Sequence, residues 1–334
     1  MGPCRLPRAA LKMAPGLVRD LDQRMPKSFR MLRHVLAGML IIAWLPGCGG
    51  PGESPNAASA TAEVRHGAAT PAGAVGDPVA ALRRNALADV ARIALPPTLH
   101  AQTEASWREG RSRWPLTELP LDDSLPGMLQ TLSAPDAERK LQARFRQQVS
   151  GQTRALQEAA RSLGLFGKQY LMREGDYNAQ QRSHYVRMID AVSAWAARAP
   201  LGDPARGRES IHLLVRGAAR TGLKGDADLT RLGMTGSLQA LAPLYIAAKQ
   251  ALGLYGLGVD AALASLKAET VRTGGDEADV RVRYTLAGRE IETVMKAVRV
   301  DGRWYLADYL AAAEASLAGG KAATQAGTAV PAGR

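Results

Sequence analysis

Cysteine, histidine and clustered acids are where chemistry would show first in this chain. Cysteine occurs twice, as Cys4 and Cys48, so neither a disulfide framework nor a cysteine-built zinc site is available. Beyond residue 47 the histidines are His66, His100, His184 and His212. No two of them stand at i, i+4 or in any ligand motif; His184 and His212, on separate expected helices, could still meet. Asp226-Ala227-Asp228 lacks the later Gly and Glu of a calcium loop. Gly253, Gly256 and Gly258 do not follow a strand, so no dinucleotide fingerprint forms. A Gly-x-Ser-x-Gly elbow and a phosphate loop are both missing. The pattern therefore names no catalytic residue, no metal and no cofactor.

Charge narrows the partners. The chain has 334 residues, 43 of them Lys or Arg and 31 Asp or Glu, a formal +12. At about 150 residues per domain that is two domains at most. Much of the surplus lies at the front. Arg5, Arg8, Lys12, Arg19, Arg24, Lys27, Arg30 and Arg33 face only Asp20 and Asp22 within residues 1–47. The remainder is mildly basic, too weakly so to argue for nucleic acid.

The N-terminal segment has the layout of a secretory signal. Lys27, Arg30 and Arg33 precede an apolar run from Val35 to Leu45, followed by Pro46, Gly47 and Cys48. The run is too short for the roughly 20 residues of a spanning helix. Residues 1–24 lengthen the n-region, and Met25 or Met31 makes a more usual start. Leu45-Pro46-Gly47-Cys48 resembles the lipobox of bacterial lipoprotein precursors, with Pro46 standing where that pattern has Ala, Ser, Thr or Val. The resemblance implies cleavage between Gly47 and Cys48 and acylation of the Cys48 thiol and amine, palmitate included. Gly49 rather than Asp follows, which in such lipoproteins implies the inner leaflet of the outer membrane, facing the periplasm. Each buried CH₂ contributes about 0.8 kcal/mol, and stable anchoring needs two chains or more.

After the cysteine, residues 48–77 are rich in Gly, Pro, Ala, Ser and Thr without apolar periodicity, the composition of a flexible tether. Residues 319–334 have the same character and are expected to be a disordered tail. Between them, residues 78–260 read as a helical domain. Asp77-Pro78 offers a cap and an N1 proline for a first helix that Pro96-Pro97 ends. A second carries Trp107. Arg113 to Pro126 reads as an extended connector. Ala134-Pro135-Asp136 starts a long helix through Leu141, Phe145, Val149, Leu156 and Leu163, stopped at Gly164. Asn178 caps the next, with Tyr185, Met188, Val192 and Trp195 on one side. Asp203-Pro204 starts another that ends near Gly222. The last runs from Ser237 to Tyr255, and its Gln239, Pro243, Lys249 and Gln250 argue for a buried helix rather than a membrane span.

Near residue 265 the period changes from helical to alternating. Leu266–Arg272, Val280–Leu286, Ile291–Val300 and Arg303–Leu306 read as four strands, joined at Gly274-Gly275-Asp276, Ala287-Gly288 and Asp301-Gly302. Asp308 can cap a short final helix over Tyr309–Leu317. The expected fold class is α+β: a mostly helical body, then a small antiparallel meander and a short C-terminal helix over 261–318, packed on the helical part. The stretch Leu238–Leu310 resembles the C-terminal part of nuclear transport factor 2-like (cystatin-like) domains. Arg281-Val282-Arg283-Tyr284, Val298-Arg299-Val300 and Asp301-Gly302-Arg303-Trp304-Tyr305-Leu306 carry that resemblance. It implies a curved sheet that can enclose an apolar cavity, with Tyr284, Trp304, Tyr305 and Tyr309 as candidate lining or plain core. Isomerase-like members use a pocket acid and a tyrosine, and no Asp here matches such a motif.

Arg139, Arg144, Arg146, Arg154 and Arg161 lie along the expected long helix, either as a solvated face balanced by Glu138 and Glu158 or as a contact for anionic headgroups or an acidic envelope polymer. The sequence thus points to a lipid-anchored envelope protein that binds a partner or a small apolar ligand without catalysis. The alternative is an enzyme using a pocket on the terminal sheet.

Overall fold

The computed structural model describes residues 65–118, 124–173 and 178–328, the last ten by backbone alone. The signal segment, Gly47, Cys48, the tether to residue 64 and the chain beyond 328 lie outside the described residues. Eleven helices and a four-stranded sheet follow in the order α1 (Pro71–Arg83), α2 (Leu87–Ala94), α3 (Pro97–Arg108), α4 (Leu125–Ser133), α5 (Ala137–Gln148), α6 (Thr153–Arg173), α7 (Ala179–Ala196), α8 (Pro204–Thr221), α9 (Asp226–Leu254), α10 (Val259–Ala264), β1 (Lys267–Gly274), β2 (Glu277–Leu286), β3 (Arg289–Val300), β4 (Arg303–Leu306) and α11 (Ala307–Thr328). The class is α+β, with an antiparallel sheet in the order β1-β2-β3-β4. No helix among the described residues is long and apolar enough to cross a membrane.

Local chemistry explains the elements. Asn178 closes a capping box: its side-chain carbonyl accepts from the Gln180 and Gln181 amides at 3.0 and 2.9 Å, and Gln181 accepts from the Asn178 amide. The Asp203 carboxylate caps α8 by accepting from the Ala205 and Arg206 amides, and Gly222 ends the helix with φ of +67°. At the β3–β4 hairpin Asp301 and Gly302 have φ of +49° and +75°, the mirror-image turn that matches strand twist. On β2, Ala278, Val280, Val282, Tyr284 and Leu286 are buried, while the residues between them are exposed or half-buried.

Several boundaries differ from expectation. Ordered structure begins well before Asp77. Ala68 pairs with Trp304 through both backbone hydrogen bonds, 2.9 and 3.0 Å, and the Arg303 guanidinium donates to the His66 and Gly67 carbonyls. Thr70, not Asp77, caps α1, and Pro78 lies within it. That first helix ends at Arg83, and Pro96-Pro97 instead opens α3. The connector holds a short 3-10 turn at Leu116–Glu118, and α4 starts at Leu125. The long helix breaks at Val149, where the Gly151 amide bonds the Gly202 carbonyl at 2.9 Å, and α6 then runs past Gly164 to Arg173. The final helix extends past Leu317 to Thr328.

Two buried clusters form, and they do not separate at residue 260. One joins the inner sheet face (Val280, Val282, Ile291, Leu306) to Val75 and Val79 of α1 and to Met188, Val192 and Trp195 of α7. α1 lies across all four strands. The other packs α2, α3, α4 and α8 around the middle of α9, with Trp107, Trp114, Leu129, Met234 and Leu238 at its heart.

The longest helix contains a break with a sequence cause. Gly233 has φ of +69° and ψ of −174°, and a Cβ there would sit 2.1 Å from a Glu104 carboxylate oxygen. Glu104, from α3, accepts from the Thr235 amide at 2.9 Å and its hydroxyl at 3.0 Å, so it caps the second segment of α9. Glu104→Ala leaves those donors open and lowers stability by about 1–2 kcal/mol. A urea melt checks this as a lower midpoint at unchanged slope; an unmoved midpoint would show that the tie contributes nothing.

Candidate functional site

The four aromatic residues suggested as a pocket lining do not converge. Tyr284 pairs with Ile291 and Trp304 with Arg299, eight residues along β3. They share the inner face but stand about 26 Å apart at roughly 3.3 Å per residue. Tyr305 pairs with Val298 on the opposite face. It is covered by the N-terminal segment, where a Cβ on Gly67 would come within 2.6 Å of the Tyr305 ring. Tyr309, on α11, meets the Trp114 ring edge-on at 6.5 Å. Trp304 lies under the Arg299 guanidinium, 5.6 Å from its ring centre. Each is used in packing at its own place.

The histidines are distributed likewise. His184 bonds the Tyr284 hydroxyl at 2.9 Å, whereas His212 lies 3.2 Å from the Glu138 carboxylate, so the two do not meet. His66 and His100 touch edge to face at 5.2 Å. Among the described residues no group of three His, Cys, Asp or Glu side chains is placed to hold a metal.

The arginine row is divided as well. The break at Val149 puts Arg139, Arg144 and Arg146 on α5 and leaves Arg154 and Arg161 on α6. Arg139 pairs with Asp136, and Arg154 with Glu158. The row is thus split between two helices, with Arg154 and Arg161 remaining on α6.

What the structure does bring together lies on α6, in the part beyond the expected stop. Gly164 does not end the helix because it is a packing glycine: a Cβ there would sit 2.6 Å from Ser193 of α7. Gly167 repeats the close approach one turn on, against Ile189. Leu156, Ala160, Gly164 and Leu171 face inward, and α7 is the principal neighbour of α6. The opposite arc is open and carries four large apolar side chains beside Gln169 and Arg173. Leu165, Phe166, Tyr170 and Met172 are 58%, 65%, 53% and 64% exposed. Phe166 and Tyr170, at i and i+4, stack at 6.5 Å. Isolated exposed apolar residues are ordinary; four within the eight residues 165–172, flanking the exposed Gln169, make this side of α6 the candidate contact surface.

A cleft of about 330 Å³ opens beside this arc, between α6, α7 and the start of β3. Arg161, Lys168 and Arg289 supply its cations, Asp190 its one carboxylate, and Leu165 and Ala194 part of its apolar wall. Lys168 pairs with Asp190 at 2.7 Å, and Arg161 donates to the Ala197 carbonyl at 3.2 Å. The Arg289 guanidinium has no ion-pair partner among the described residues. A glycine at 164 looks like a helix stop and hides this arm in the sequence; the i, i+4 spacing of Phe166 and Tyr170 is the signal that marks it.

The buried His184–Tyr284 pair gives the body an acid response. Burial, reinforced by Arg187, lowers the His184 pKa from 6.5 to about 4, and burial raises that of Tyr284. Both are neutral at pH 7. Between pH 6.5 and 4 the unfolded chain binds the proton and the folded one does not, so stability is intact above 6.5 and falls as pH drops toward 4. The loss reaches roughly 2–3 kcal/mol. Thermal melts of the wild type and His184→Gln across that window check it: the wild type loses more stability on acidification, and parallel curves would refute the assignment.

No model of a known protein family, no curated protein and no solved structure matches this chain.

Proposed function

We propose that the chain is an exported, lipid-anchored envelope protein that faces the periplasm from the inner leaflet of the outer membrane and works by contact rather than catalysis. The observation that carries the contact reading is the open apolar arc of α6. Buried aromatic residues are committed to packing, whereas Phe166 and Tyr170 are presented outward on a helix whose buried residues, among those described, face α7. The anchor rests on the basic, apolar and Leu45-Pro46-Gly47-Cys48 succession.

The fold adds a length to this reading. Because His66 to Ala68 are held on β4, the leash is shorter than a tether running to Asp77 would be. The roughly 17 residues from Gly49 to Arg65 reach at most about 60 Å from the lipidated residue.

Labelling cells with palmitate and fractionating their envelopes tests the anchor. The mature protein carries the label and sediments with membranes, and Cys48→Ser abolishes the label and shifts the body toward the soluble fraction. A native protein that never takes up label would sink the proposal.

A further inference from the structure

We infer that the surface met by α6 is the anionic lipid leaflet itself, with the α6–α7 cleft taking a lipid phosphate and the apolar arc entering the interface. This deepens the contact reading above and rests on it.

Three observations lead there. The first is the composition of the arc. Leu165 and Met172 stand at i, i+7 on one edge, and Phe166, Tyr170 and Arg173 at i, i+4, i+7 on the other, all exposed. Aromatic rings beside arginine suit the headgroup level, where an amphipathic ring has one wet and one apolar side. An interfacial helix lies in the membrane plane with such an arc buried among the headgroups and upper acyl chains.

The second is charge. α6 carries Arg154, Arg161, Lys168 and Arg173 against Glu158 alone, and Arg289 adds a further cation at the cleft. Arg161 and Arg289 are not neutralised by an ion pair among the described residues. Arginine presents a planar fork of donors that fits a phosphate, and Leu165, shared by the cleft and the arc, continues the apolar surface from the headgroup toward the chains.

The third is the leash. Its lipid end is fixed in the same leaflet and its other end at β4, so the body samples that surface at high effective concentration. A face too weak to hold a free protein is then enough to orient a tethered one.

The acylated full chain, extracted from membranes and reconstituted with p-benzoylphenylalanine in place of Phe166, tests the inference. Vesicles are phosphatidylethanolamine with or without phosphatidylglycerol, and the same probe at exposed Val271 of β1 is the control position. Irradiation is expected to yield a phospholipid adduct at residue 166, little at residue 271, and more with phosphatidylglycerol present. Arg161→Ala combined with Arg289→Ala should cut that adduct about 25-fold, at about fivefold per cation. Soluble glycerol phosphate in excess should compete poorly, because it occupies the cleft without the arc. Competition as effective as by the lipid would overturn the leaflet as the source. A protein adduct at residue 166, equal yields at 166 and 271, or indifference to phosphatidylglycerol would each overturn the docking. A chain that lacks acyl groups yet still gives the phosphatidylglycerol-dependent adduct would sink the anchor and leave the docking standing.

Discussion

The antiparallel pairing of Ala68 with Trp304 is the constraint on which the sheet half of the molecule depends. It adds a short extended edge to β4, which would otherwise end the sheet with open backbone groups. It also fixes where the chain enters the body. With Thr70 capping α1 immediately afterwards, the helix has little freedom except to cross the inner sheet face, where Val75 and Val79 meet the apolar residues of β2 and β4. Arg303 holds the same segment by its carbonyls, and the Tyr305 ring fills the space that Gly67 leaves by having no side chain. A larger residue at 67 would push the ring aside and lift the edge.

The second half depends on a different tie. α3 and α9 are joined by Glu104, whose carboxylate caps the second segment of α9 just beyond the break at Gly233. Arg113 extends the same joint: its guanidinium covers the Trp107 ring at 5.2 Å and holds Asp226 by three hydrogen bonds, at the first turn of α9. The Trp107 indole donates to the Trp114 carbonyl at 2.6 Å, which closes the connector over the core. These contacts are polar, local and directional, and they explain how a chain with few large aromatic residues fixes a helical stack: alanine and leucine supply volume, while a few charged groups supply register.

What could be read from the chain was what local chemistry decides. Asn178, Asp203, Gly222 and Asp301-Gly302 act within a few residues of themselves, and each element they border was legible. The alternation in β2 was equally clear because a half-buried strand has period two regardless of its neighbours. Errors came where a residue answers to a distant partner. Gly164 and Gly233 look alike in sequence, yet the first admits Ser193 without interrupting its helix and the second breaks one under Glu104. Pro78 resembles an N1 proline, but Thr70 has already started the helix. The proposed pocket residues were legible as buried and not as dispersed, since only strand register places Tyr284 and Trp304 at opposite ends of β3.

The same distinction separates structural from functional aromatic residues. Trp107, Trp114, Tyr284, Trp304 and Tyr305 each have a packing partner that accounts for them. Among the described residues, Phe166 and Tyr170 stack on each other and stay more than half exposed. Exposing two rings on adjacent turns of one helix forfeits burial of the kind that contributes about 1.5–3 kcal/mol per large apolar side chain elsewhere in the fold. Nothing inside the described residues offsets that loss. The helix bearing them is held by glycines that draw its inner side against α7 and so present its outer side as a rigid surface. A stiff, peripheral, apolar and basic helix is costly for a body that stays in water, and favourable for one held within reach of an anionic leaflet.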